Sequence, residues 1–147
     1  MEIIKYHEKY KQQVIDLILH IQNDEANLHL QIEDQPDLLD VQTYYNKNGG
    51  GFWIAVENGE VIGTLAFMNY GNGNAVLKKF FVRIDWRSKK IGFALYQTVI
   101  EYLRQGGYKQ VLLDTPSVAE SSHRFYERSG FIKIAKESLP FHYEYPD

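Results

Sequence analysis

The chain contains no cysteine among its 147 residues. It therefore cannot form a disulfide, bind a metal through thiolates or use a cysteine nucleophile. Its five histidines are scattered, and none of their spacings matches a local metal-binding motif such as HExxH. We therefore predict that the protein binds no metal.

The sequence also lacks the features of membrane and nucleic-acid binding. No apolar run approaches the roughly 18 residues of a membrane span, and the first ten residues lack the apolar core of a secretory signal. The net charge of -3 argues against nucleic-acid binding, which requires a basic face. We expect a cytoplasmic protein that binds neither membranes nor nucleic acids. The length and the hydrophobic content of 44% predict one domain over residues 1–147.

The charges that are present are unevenly distributed. We call residues 76–90 the basic island, because six bases stand there against one acid, Asp85. The bases are Lys78, Lys79, Arg83, Arg87, Lys89 and Lys90. We call residues 21–46 the acidic segment, because it has six acids and no Lys or Arg. The acids are Asp24, Glu25, Glu33, Asp34, Asp37 and Asp40. Each stretch is either a solvated face or a surface that attracts a ligand of opposite charge.

Hydrophobic periodicity and turn residues predict a mixed order of elements. A strand from Glu2 to Tyr6 precedes two helices, the second from Pro36 through Tyr44, and then three strands form an antiparallel meander. Asn58-Gly59 suits the first hairpin turn, since both residues accept positive φ. A helix, a strand, a helix and two strands over 131–135 and 141–145 follow. The prediction is an α/β (α+β) fold, a mixed and mostly antiparallel sheet flanked by helices, with a parallel crossover through the helix from Ile91.

Two motifs in the second half of the chain point to a function. Arg87-Ser-Lys-Lys-Ile-Gly92-Phe-Ala opens a helix directly after a strand, and a helix N-terminus with nearby bases suits a diphosphate. Phe125-Tyr126 and Gly130-Phe131 follow some thirty residues later. With the preceding strands, these motifs resemble the GCN5-related N-acetyltransferase (GNAT) superfamily. Lys90 stands where that family's phosphate loop has its first glycine.

The resemblance implies acetyl-CoA as the donor, with its thioester between two strands that splay apart. A backbone N–H near Val82 would polarise the thioester carbonyl, and Tyr126 would give a proton to the departing sulfur. The predicted cofactor-binding residues are Phe81, Val82, Arg83, Arg87, Ser88, Lys89, Lys90, Ile91, Gly92 and Phe93. The family often has an asparagine that contacts the pantetheine, and this chain has Ala119 at the corresponding position. Ser121 or Ser122 could supply the polar contact instead.

The predicted activity is direct transfer of the acetyl group to a small-molecule primary amine within a ternary complex. The sequence leaves five candidates for the general base: Glu33, Asp34, Asp37, His142 and Glu144. The acidic segment favours a cationic acceptor, and the resemblance allows a homodimer. The alternative is a non-catalytic module that binds or senses acyl-CoA. A nucleotide-binding domain is disfavoured, because Gly71-Asn-Gly-Asn74 lacks the phosphate-binding patterns.

Overall fold

The structure, a computed structural model, describes residues 1–113, 120–132, 134, 138, 139 and 141. They fall into two compact units, Met1–Leu112 and Leu113–Asp147. The prediction of one domain over the whole chain stays a prediction.

The first unit is built on a five-stranded sheet. Its strands are β1 (Glu2–Lys5), β2 (Gly51–Glu57), β3 (Glu60–Gly71), β4 (Asn74–Val82) and β5 (Gln110–Leu112). They lie in chain order across the sheet, with three antiparallel pairings followed by the parallel pairing of β4 with β5. Asn58 and Gly59 have φ values of 51° and 78°, as the first hairpin turn requires. The predicted meander and parallel crossover are confirmed.

The helices of the first unit are α1 (Lys11–His20), α2 (Pro36–Leu39) and α3 (Ile91–Gln105). A π turn (Ile21–Glu25) continues α1, and a second π turn (Gln42–Asn46) follows α2. Single-turn 3₁₀ helices are Glu8–Tyr10, Ile32–Asp34 and Ile84–Trp86. The prediction of one helix from Pro36 through Tyr44 is wrong. Asp40 has non-helical backbone angles and its carboxylate accepts the N–H of Thr43, so the helix is interrupted there.

The sheet is covered on both faces. Phe52 and Ile54 pack in the core with Ile18 of α1, whereas the ring of Trp53 lies 4.9 Å from that of Tyr102 on α3. Successive strand residues point to opposite faces, so α1 and α3 lie on opposite sides of β2. The near-continuous apolar sequence of β2 follows from this double coverage.

One edge of β4 is only partly occupied. The parallel pairing with β5 runs from Asn74 opposite Gln110 to Val76 opposite Leu112. Beyond it, β3 pairs on one side with Leu77, Lys78, Phe81 and Val82. On the other side, residues 77–82 pair with no strand of the described chain. Within the described part of the chain, the backbone of this half of β4 therefore has an open edge.

The second unit contains α4 (Glu120–Arg128). A strand was predicted over 131–135, but Phe131, Ile132 and Ile134 are not in a strand, and Lys133 and Ala135 lie outside the described residues. Hydrogen bonds from Gly130 and Phe131 back to the last turn of α4 fold the chain at this point, which the alternating apolar pattern does not reveal. The predicted strand over 141–145 lies outside the described residues except for Phe141.

Candidate functional site

The N-terminus of α3 presents backbone donors without a side-chain cap. Lys90 is the N-cap residue, and the first bond of the helix runs from the N–H of Ala94 to the carbonyl of Lys90 at 3.0 Å. The N–H groups of Ile91, Gly92 and Phe93 precede that bond and have no acceptor within the helix. With the helix dipole they form a site suited to an anion.

The residues before α3 add positive charge to this site. Lys89 and Lys90 are exposed, and the ammonium of Lys89 lies 4.8 Å from the centre of the Trp86 ring. Ser88 and Lys90 both have φ of 64°, in the left-handed region that favours glycine. Lys90 therefore keeps the backbone conformation that a glycine would adopt and adds a charge.

Replacing Lys90 with glycine should raise the stability of the fold and weaken acetyl-CoA binding. The left-handed conformation costs a non-glycine residue about 1 kcal/mol, which glycine avoids. The lost cation should raise the KM for acetyl-CoA, and this increase should shrink at high ionic strength. Urea unfolding and initial rates at two salt concentrations measure both effects. Lys89→Gly is the control, since it removes the same charge from a residue without positive φ. Equal stability of the two variants would contradict the assignment of strain to Lys90.

The end of β4 lies directly beside the N-terminus of α3. A Cβ atom placed on Gly92 would lie 3.6 Å from side-chain carbons of both Phe80 and Val82. These are ordinary van der Waals distances, so the fold itself leaves room for a methyl group at Gly92. The open edge of β4 and the uncapped donors of α3 thus form neighbouring parts of one surface.

The polar backbone groups of Val82 face the open edge of β4. Val82 lies opposite Gly63 of β3, and the neighbouring N–H of Arg83 donates to the carbonyl of Ile62. Because successive residues of a strand direct their backbone groups to opposite sides, those of Val82 point away from β3. Its carbonyl accepts a bond from Nε of Arg87 at 2.9 Å. Its N–H is directed to the same side.

Two arginines that the sequence assigns to the cofactor are engaged elsewhere. Arg83 forms ion pairs with Glu60 at 3.0 Å and Asp85 at 2.7 Å. Arg87 places Nη1 2.8 Å from Oε1 of Glu25 while its Nε holds the carbonyl of Val82. Each guanidinium therefore has at least one carboxylate partner within the protein. The contact of Arg83 with the pantetheine arm and that of Arg87 with the diphosphate stay predictions.

A buried polar cluster lies on the α1 side of β4 and was not foreseen from the sequence. The register of β4 against β3 shifts between Ala66 and Thr64, and Lys79, with φ of 55°, occupies this bulge. Its ammonium donates to Oε1 of Gln35 and lies 3.6 Å from the carboxylate of Asp37. Burial lowers the pKa of Lys79, and the nearby Asp37 partly opposes that change. Two adjacent lysines in a strand are the only sequence sign of this arrangement.

Most carboxylates of the acidic segment have partners within the protein. Asp24 pairs with His20 and Glu25 with Arg87. Of the predicted bases, Asp34 accepts the N–H of Gln31, and Asp37 accepts the hydroxyl of Tyr45. Glu33 is exposed. His142, Glu144 and Ala119 lie outside the described residues, and the side chains of Ser121 and Ser122 are not described.

Tyr126 belongs to the second unit, where the end of α4 holds its ring. The N–H of Phe131 donates to the carbonyl of Tyr126, and the N–H of Gly130 donates to that of Glu127. Gly130 has φ of 94°, and the rings of Phe131 and Tyr126 lie 5.7 Å apart. This is the Schellman arrangement, with its usual apolar contact. The Gly-Phe pair of the motif therefore fixes the last turn of α4 around Tyr126.

The described part of the chain contains neither a metal-binding cluster nor a membrane-spanning helix. No three His, Asp or Glu side chains in these ranges lie close enough together to hold a metal ion. In the same ranges, no helix has the length and apolar character needed to cross a bilayer.

Comparisons with known proteins agree with this architecture. The sequence model of the acetyltransferase (GNAT) family matches residues 15–131. A crystal structure of an acetyltransferase from Streptococcus agalactiae superimposes with a TM-score of 0.94 and 35% identity, over 99% of this chain and 92% of that one. A GNAT-family acetyltransferase of Staphylococcus aureus gives a TM-score of 0.91 at 35% identity, over 95% and 89% of the two chains.

Among curated proteins, the chain is similar to the N-acetylaspartate synthetase of Danio rerio. The two are 35% identical over 102 residues, which cover 68% of this chain and 36% of the relative. A probable N-acetyltransferase of Xenopus tropicalis, camello, is also 35% identical, over 71% of this chain and 49% of the relative. The chain thus spans half or less of the length of these relatives.

Proposed function

The chain belongs to the acetyltransferase (GNAT) family, and from this premise we propose that it transfers an acetyl group from acetyl-CoA to a primary amine. One observation carries the proposal: the open edge of β4 at Val82 adjoins the uncapped N-terminus of α3. Acetyl-CoA needs both features. Its pantetheine amides can pair with a free strand edge, and its diphosphate can bind N–H groups at a helix N-terminus.

The proposed reaction is direct attack within a ternary complex. The chain has no cysteine to carry an acyl intermediate. The Val82 N–H would donate to the thioester oxygen as it gains negative charge, and Tyr126 would protonate the departing sulfur. Holding both substrates in one orientation can contribute roughly 7 to 11 kcal/mol to the acceleration.

The proposed acceptor is a small molecule with a primary amine. The name of the Danio rerio relative describes the formation of N-acetylaspartate, so that protein acetylates an amino acid. The acidic segment was the basis for predicting a cationic acceptor. Most of its carboxylates have partners within the protein, so the amines to be tested include both cationic and anionic ones. The homodimer and the cytoplasmic location stay predictions.

The deciding experiment measures free CoA thiol over time with acetyl-CoA and a panel of amines. The panel contains a polyamine, aspartate, an aminoglycoside and a peptide with a free N-terminus. Time-dependent release with one class supports the proposal and identifies the acceptor class. Binding of acetyl-CoA by calorimetry without release for any amine would favour a sensing module. Turnover restricted to anionic amines would contradict the prediction that the acceptor is cationic.

A further inference from the structure

One carboxylate oxygen in the first unit is buried without a hydrogen-bond partner. It is Oε2 of Glu25, which has no partner among the residues that the structure describes. The other oxygen, Oε1, lies 2.8 Å from Nη1 of Arg87. A buried carboxylate oxygen without a donor is costly, and its best partner is a cationic N–H group. The side chain as a whole is 23% exposed, whereas Oε2 itself is buried. A ligand therefore reaches this oxygen only when neighbouring side chains move aside.

The position of Glu25 is set by the π turn at the end of α1. The N–H of Ala26 closes that turn on the carbonyl of Ile21. Asn23 then fixes the following loop through two bonds with the backbone of Leu30, both 2.7 Å long. Single π turns within helices occur frequently at functional sites. The turn sets the backbone position of Glu25, and the ion pair with Arg87 directs its carboxylate.

Arg87 connects Glu25 to the open edge of β4. The same guanidinium that pairs with Oε1 of Glu25 donates through Nε to the carbonyl of Val82. A single guanidinium group therefore separates the Glu25 carboxylate from the residue whose N–H faces the open edge. The carboxylate that carries the unpartnered oxygen is thus one guanidinium group away from the position proposed for the thioester.

We propose that Oε2 of Glu25 binds the ammonium group of the acceptor and takes up its first proton. The inference rests on the acetyl transfer proposed above and supplies the general base that the sequence left open. Glu25 is not among the bases predicted from the sequence, because the sequence does not show which acidic residue lies near β4.

The charges around Glu25 leave it suited to this role. Arg87 contacts one oxygen only. On the same turn, Asp24 is paired with His20, and on β4, Lys79 is paired with Asp37. Each of these neighbours has a partner of its own, whereas Oε2 of Glu25 has none among the described residues.

The proton balance of the step is complete. One ammonium proton passes to Oε2, and the free amine forms the N–C bond to the acetyl carbon. The C–S bond then breaks, and the second proton lost by nitrogen balances the one that the sulfur takes up. Glu25 returns its proton to solvent, and the products are the N-acetyl amine and CoA thiol.

The test compares the pH dependence of kcat/KM for the acceptor in the wild type and in Glu25→Gln. At neutral pH the kcat/KM of the variant should be about 10²- to 10⁴-fold lower than that of the wild type. Its kcat/KM should then rise about tenfold per pH unit up to the pKa of the acceptor, because only the free amine can react. The wild type should show no such rise, since its bound ammonium is deprotonated in the complex.

Two further variants separate a chemical role from a structural one. Glu25→Asp keeps a carboxylate and should restore the wild-type shape of the pH profile at a lower rate. Asp24→Asn removes one charge from the neighbouring residue and should leave kcat/KM unchanged. If Glu25→Gln shares the pH profile of an active wild type, the inference is wrong and the proposed function stands. A wild type that acetylates no amine would contradict the proposed function and the inference together.

Discussion

Tyr126→Phe should lower kcat by roughly 10²- to 10⁴-fold while acetyl-CoA binds as before. When the tetrahedral intermediate collapses, the sulfur leaves with negative charge and needs a proton. Phenols keep their proton at neutral pH and can supply it. A phenylalanine at position 126 keeps the ring that packs on Phe131. The backbone carbonyl at this position still accepts the N–H of Phe131, so the C-terminal cap of α4 should be intact.

The measurement is a comparison of single-turnover rates and thermal unfolding in the wild type and the variant. Tyr102→Phe on α3 is the matched control, because it removes a hydroxyl from a tyrosine packed on Trp53, outside the proposed site. That control should keep the wild-type kcat. Full turnover of Tyr126→Phe, with the chemical step shown to limit the rate, would mean that the sulfur leaves unaided or is protonated by water.

Val82→Pro should lower kcat by about 10²- to 10³-fold, the usual loss when one oxyanion donor is removed. Proline has no N–H, and at Val82 this group faces the open edge and not β3. Proline is tolerated where a strand directs its N–H away from the sheet. The hydrogen bonds between β3 and β4 should therefore persist, and the loss should lie in the chemical step.

Val82→Ala is the control for this prediction. It shortens the side chain that lies near Gly92 and keeps the N–H. A much larger fall in kcat for proline than for alanine, at similar unfolding temperatures and acetyl-CoA affinity, would support the role of the donor. Equal kcat values for the two variants would show that the Val82 N–H does not stabilise the transition state.

The elements that the sequence predicted well are those fixed by local chemistry. Asn58-Gly59 accepts the positive φ of a tight hairpin, and Ile91 begins a helix that ends before Gly106. Alternation and helical spacing record which faces are buried, so the meander and the crossover could be predicted. The free N–H groups at the start of α3 could be predicted for the same reason, because they come from consecutive residues.

The family motif also carried information that periodicity does not. It suggests roles for Val82, Gly92 and Tyr126, and these roles stay predictions. It did not reveal that Arg87 would turn toward Glu25, because a sequence shows the charge of an arginine but not its partner.

Tertiary structure alone decided which polar groups meet. Glu25 and Arg87 are far apart in the chain, and a π turn at the end of α1 sets the direction in which Glu25 points. The sequence alone indicates that Lys79 is a surface lysine of the basic island. In the structure, a bulge in β4 brings it beside Gln35 and Asp37. Local sequence determines backbone conformation and the faces of each element. Contacts between distant side chains depend on bulges, turns and registers that arise only when the elements pack together.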